Sequence, residues 1–179
     1  MTTPPSSESA APDAVAPAPG PFDILLGEVD LVLGEWRQLV ADEPWNTIPH
    51  TRLIDSFPEV LPKLFRLARA GCAELDAEVR RLVADAHGTP RRQDGLPLRA
   101  VADEWTLLQR ACWAVLARHG VPEPAARDAM SRLEVLIDDA IGVTLRGYYA
   151  PVLDALRGRG LERRAGDDDR RSGETDRRE

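Results

Sequence analysis

Cysteine is scarce in this chain: Cys72 and Cys112 are the only two, on separate predicted helices and without metal-type spacing. Both read as small buried hydrophobes rather than a disulfide. Lysine is nearly absent, with Lys63 the single one among 23 basic residues, and no mechanism follows from that. Aromatics make up only 5% of the residues, so Leu, Val and Ala must fill the interior, as they do in helical bundles. No apolar run reaches the roughly 18 residues a membrane span needs. Nor does a charged start lead into an apolar segment of the secretory kind. The formal net charge of −7 leaves no basic footprint for a nucleic-acid partner. These absences predict a reduced, cytoplasmic protein with neither a nucleic-acid nor a membrane partner.

Apolar residues are nonetheless plentiful, at 43% of 179 residues, enough for one domain with irregular ends. Residues 1–20, rich in Pro, Ala and Ser, cannot bury enough apolar surface to offset their ordering entropy and are expected to form a disordered leader. Residues 21–158 carry the helical domain. Residues 159–179, of mixed charge and almost without apolar content, are expected to form a disordered tail.

Within the domain the apolar residues recur at three- and four-residue steps, the mark of amphipathic helices. A first helix is predicted from Phe22 to Ala41, locally weakened by Gly27 and Gly34 and stopped by Glu43-Pro44. A helical region follows from Thr47 or Pro49, with a break expected near Pro58 and Pro62 and Ser56 as cap of its second part. Leu75, Val79, Leu82 and Val83 form another stripe between Cys72 and Ala86. Gly88, Pro90 and Gly95 then predict a loop. The clearest helix runs from Pro97 to Arg118, with Leu98, Val101, Trp105, Leu108, Cys112, Val115 and Leu116 on one face, and ends at Gly120. A last helix from Pro124 to Arg157 has a stripe wider than one neighbour covers, which predicts a dimer seam through Met130, Leu133, Ile137, Ile141 and Leu145. The fold class is therefore all-α: a globin-like or up-down bundle of about five to six helices with a long C-terminal helix.

The chemistry-bearing residues do not assemble into a catalytic motif. Nucleophile elbow, P-loop and dinucleotide fingerprint are all missing. Asp138-Asp139 and Asp167–Asp169 have no histidine beside them, so no metal site is expected. Of the histidines, His87 and His119 fall near predicted helix C-termini, where the dipole favours a cation, and His50 falls at a helix start. Glu104 and Arg91 are expected to form a partly buried polar link, with His87 as a further member. Trp105, Trp113 and Tyr148 could line a pocket between helices; filling the core is the simpler role for them.

The central stretch resembles the RsbRD-type N-terminal sensor domain of the RsbT co-antagonist proteins. The likeness lies in His87, Arg91 four residues on, Gly95 four further, then Glu104-Trp105 and Leu108-Gln109 on the following helix. Trp105 stands where Tyr is usual and Gln109 where Arg is usual, while Pro90 interrupts a segment commonly helical in relatives. The resemblance implies a globin-related fold without haem, dimeric, serving as an input module in stress or two-component signalling. The expected function is thus a non-enzymatic regulatory module with no cofactor, acting as a homodimer on a kinase or anti-sigma-type regulator in trans. The alternatives are a small-ligand sensor, with haem as a special case, and a histidine phosphotransfer bundle centred on His87 or His50.

Overall fold

A computed structural model describes residues 18–46 and 57–175, with side chains described as far as Arg157. Among them every regular element is helical. In chain order these are α1 (Pro21–Gly27), α2 (Val29–Ala41), α3 (Phe57–Arg69), α4 (Ala77–Val83), a π-turn (Ala84–Gly88), α5 (Thr89–Gln93), α6 (Leu98–Arg118) and α7 (Glu123–Thr175). The protein is all-α, with one helix far longer than the rest. Thr47, Pro49, His50 and Ser56, expected at helix starts, lie outside the described residues.

The expected first helix is two helices. Glu28, with φ −118° and ψ 30°, leaves the helical region and separates α1 from α2. Of the two prolines only Pro62 departs from expectation. Pro58 occupies the first turn of α3, where a missing N–H costs nothing. Pro62 lies inside α3, and the helix runs through it to Arg69. Burial explains this: Phe57, Val60, Leu61, Leu64, Phe65 and Ala68 all lie in the core. Six buried side chains outweigh one lost backbone bond, at about 3 kcal/mol or more for an interior proline against about 1.5–3 kcal/mol per large apolar side chain.

The largest departure concerns the predicted loop at Gly88–Gly95. The chain stays helical to Gln93, and only the stretch from Asp94 to Pro97 turns, with Gly95 at φ +77°. Thr89 N–H donates to the Ala84 carbonyl five residues back, so the helix widens for one π-turn before Pro90. That wider turn gives the proline ring room that a regular α-turn would deny it.

Packing follows the apolar stripes. α2 lies against α6, and α7 packs on the π-turn, α6 and α3. Trp36 of α2 is wholly buried and its indole N–H donates to the Glu104 main-chain carbonyl at 3.0 Å, tying α2 to α6. Met130, Leu133, Leu136, Ile137, Ala140 and Val143 of α7 lie in this same core. Three residues of the expected dimer seam, Met130, Leu133 and Ile137, are thus occupied within the chain. The stripe is wide because α7 meets the π-turn and five helices, α1, α3, α4, α5 and α6.

Cys112 is buried and free, and burial pushes its thiol well above the ordinary range; Cys72 is free and half-buried. Asp139 accepts from Leu75 N–H at 3.0 Å and from Arg80 at 2.7 Å, pinning the start of α4 to α7. No helix of the described residues is long and apolar enough to cross a membrane.

Candidate functional site

His87 and Arg91 are four residues apart on the π-turn and α5, so they share one face of a continuous helical rod. That face looks at Glu104 in the middle of α6. Arg91 Nε donates to both Glu104 oxygens, at 3.0 and 3.1 Å. His87 Nε2 lies 3.0 Å from Oε2 of the same carboxylate. All three side chains are at most 2% exposed. One carboxylate thus serves a guanidinium and an imidazole inside the apolar core.

The surroundings of His87 are aromatic. The Phe57 ring from α3 is 4.8 Å away and the Trp105 ring from α6 is 5.3 Å away, both centroid to centroid. Phe57 also packs edge-on against Trp36 and Trp105. This shell strips the imidazole of water, which is the main cause lowering its pKa; Glu104 pulls the value back up and Arg91 adds to the lowering. The sign of the linkage follows. The neutral ring's contribution to stability is complete above the ordinary histidine value of 6.5. It is withdrawn as pH falls below that value, because the unfolded chain takes the proton first.

The opposite face of the same rod meets α7. Gly88 fits directly against the backbone of Thr144 and Gly147, and Gly147 against the carbonyl of Ala84. A Cβ on either glycine would fall on a backbone oxygen. Thr89 Oγ1 donates to the Gly147 carbonyl at 3.3 Å. That carbonyl is available because its usual partner four residues on is Pro151, which has no N–H. Arg92 donates to the Tyr148 carbonyl at 3.1 Å and stands over the Tyr148 ring at 5.6 Å. The Tyr148 hydroxyl in turn donates to Leu96 O at 2.8 Å. From α6, Trp105 N–H donates to Thr144 Oγ1 at 3.2 Å, and Thr144 donates to Ala140 O at 2.8 Å. α7 is therefore clamped over Thr144–Tyr148 by the same short rod that carries His87 and Arg91.

The structure brings His87, Arg91, Glu104 and Trp105 together, with Gly95 in the turn that follows α5. The polar link is wholly rather than partly buried. Trp105, Trp113 and Tyr148 are not brought together: Trp105 is in the core, whereas Trp113 lies on the outer side of α6, 37% exposed. At eight residues' separation, Trp113 falls well around the helix from Trp105. His87 does not suit the haem or phosphotransfer alternatives. Phe57, Trp105 and Glu104 occupy its surroundings, leaving no slot for a macrocycle, and a ring 1% exposed cannot meet a phosphodonor. Among the described residues no cluster of His, Cys, Asp and Glu could hold a metal ion. His119 caps the end of α6, 3.5 Å from Glu28.

Nothing in the sequence pattern marks Thr89, Arg92, Thr144 or Gly88 as site residues. Gly147 interrupts the pattern of a long helix, but so does Gly142, which makes no close backbone approach.

Charges turned inward and a helix leading outward define a helical domain whose centre is a shared buried carboxylate. Residues 29–164 match the RsbT co-antagonist protein rsbRD N-terminal domain, and the chain belongs to that family. It is accordingly a stress-signalling regulatory domain. No curated protein and no solved structure matches the chain.

Proposed function

We propose that the domain is a non-enzymatic regulatory module that self-associates along the outward part of α7 and passes its state to a signalling protein in trans. The observation that carries this reading is the unshielded apolar face of that helix. Ile141 and Leu145 are half-buried, Tyr149 is 42% exposed, Val152 is half-buried and Leu156 is 56% exposed. Their spacing of four, four, three and four places them on one stripe that leaves the body of the domain. Ile141 and Leu145 belong to the expected seam; the stripe continues outward, where Met130, Leu133 and Ile137 turn inward.

Light scattering on the full chain at several concentrations tests the reading. A dimer is expected, and Leu145→Asp with Leu156→Asp is expected to give a folded monomer. Unchanged self-association in that double variant would remove the seam from α7. Ile137→Asp is no test of it, since a buried charge there is expected to unfold the core.

A further inference from the structure

We propose that the partner on α7 is a second copy of this chain lying antiparallel, the two helices crossing at Gly142, with Asp138 of each meeting Arg146 of the other. This pairing rests on the self-association proposed above and gives it a direction and a register.

Five large hydrophobic side chains are exposed among the described residues, and four of them, Val135, Tyr149, Leu153 and Leu156, lie on α7. A step of seven residues returns to nearly the same face of a helix, so Val135, Gly142 and Tyr149 stand in one line that drifts by about 20° per step. Leu133, Ala140 and Thr144, which face the core, fall on the far side of the cylinder. The line therefore points away from the domain's own body. A second helix can lie along it without displacing anything the chain has packed.

The middle of this line holds no apolar side chain. Gly142 is half-buried, and an added Cβ would meet only the Arg146 side chain, at 3.7 Å. A glycine inside a helix is destabilising unless something uses its small size. Gly88 and Gly147 have that use inside the chain, each against a backbone carbonyl, whereas Gly142 has none there. A helix crossing at Gly142 supplies one. Asp138 and Arg146 stand four residues to either side of it, each about 40° round the helix in opposite directions. Both are exposed, and neither has an ion-pair partner among the described residues. Arg127, Arg132 and Asp139 of the same helix do have one. An antiparallel pair centred on Gly142 sets each residue opposite the one equally far from Gly142 on the other side. Asp138 then meets the partner's Arg146 at both ends of the crossing, and Val135 meets the partner's Tyr149. The contacts close symmetrically, as a two-fold interface requires. A parallel pair would instead set Asp138 against Asp138 and Arg146 against Arg146. The charges that favour the first arrangement oppose the second.

Sedimentation equilibrium of the full chain compares wild type with Asp138→Arg, Arg146→Asp and the two together. Each single change turns two attractive pairs into two repulsive ones and is expected to weaken the dimer by about tenfold or more. The double variant exchanges the charges and is expected to recover most of that loss. Disulfide cross-linking gives a second readout, in a Cys72→Ser background because Cys72 is free and half-buried. Val135→Cys and Tyr149→Cys chains, mixed and oxidised, are expected to link to each other in preference to their own kind. Linking of each variant to its own kind, or a double charge variant no better than either single one, would overturn the antiparallel pairing and leave self-association in place. A wild-type chain that stays monomeric at every concentration would remove self-association itself, and this pairing with it. All four positions are exposed, so folding is expected to hold, as circular dichroism of each variant checks. The two readouts use different residues, so either set of variants decides without the other.

Discussion

Glu104→Ala is expected to lower folding stability by about 3–5 kcal/mol, the usual consequence of removing one partner from a buried ion pair. Glu104 is wholly buried, and its carboxylate receives Arg91 through both oxygens while facing His87. Its loss leaves the guanidinium in the core without that anion. Trp36 is unaffected directly, because it donates to the main-chain carbonyl of Glu104 rather than to the side chain. Urea unfolding followed by tryptophan fluorescence measures the change. The account also predicts an asymmetry: Glu104→Leu combined with Arg91→Met should recover much of the loss, since an apolar pair of similar volume carries no desolvation cost. A loss within about 0.5 kcal/mol, the range of ordinary surface substitutions, would mean that the cluster is not buried in solution.

Gly147→Ala and Gly88→Ala carry the second large effect. In an exposed helix interior, alanine in place of glycine stabilises by about 0.5–1 kcal/mol. Gly34 of α2 is half-buried but has nothing within 4 Å of an added Cβ, and Gly34→Ala is expected to gain a similar amount. At Gly147 the added carbon would overlap the carbonyl of Ala84, and at Gly88 the carbonyl of Thr144. Both obstacles are backbone, so neither can rotate away. Overpacking typically costs about 1–3 kcal/mol, and these two substitutions are expected at or above the top of that range. Thermal unfolding of the three alanine variants side by side separates close approach from helix propensity: Gly34→Ala rises while the other two fall. A rise at Gly147 would show that the rod and α7 are not in backbone contact.

Periodicity made the long helices readable because burial and spacing agree there: the stripe of α6 from Val101 to Leu116 is the stripe that is buried. The pair Arg91–Glu104 was readable too, since two opposite charges at an apolar helix face call for one another. The π-turn was not. Gly88 and Pro90 are loop formers by local preference, and what overrides them is tertiary: Gly88 is there to let α7 approach, not to end a helix. The same cause misassigned Met130, Leu133 and Ile137, because a stripe shows that a face is covered without showing by what. Family resemblance pointed to His87, Arg91 and Glu104 but not to Thr89 or Thr144. Thr89 acts through one hydrogen bond to the Gly147 carbonyl, and Thr144 by accepting from Trp105 while donating to Ala140 O, contacts that no spacing rule reveals.

The claim that joins these observations is that the buried cluster and the clamp on α7 act as one unit through the π-turn. A double-mutant cycle between Glu104→Gln and Thr89→Val tests it most directly, because Glu104 of α6 meets one face of the rod while Thr89 bonds α7 from the other, and both replacements keep the side chain's shape. Stability is measured for the four proteins by urea unfolding. The account predicts a coupling of about 0.5 kcal/mol or more, the range found for residues within one network. Effects that add within about 0.3 kcal/mol, as independent sites do, would contradict it.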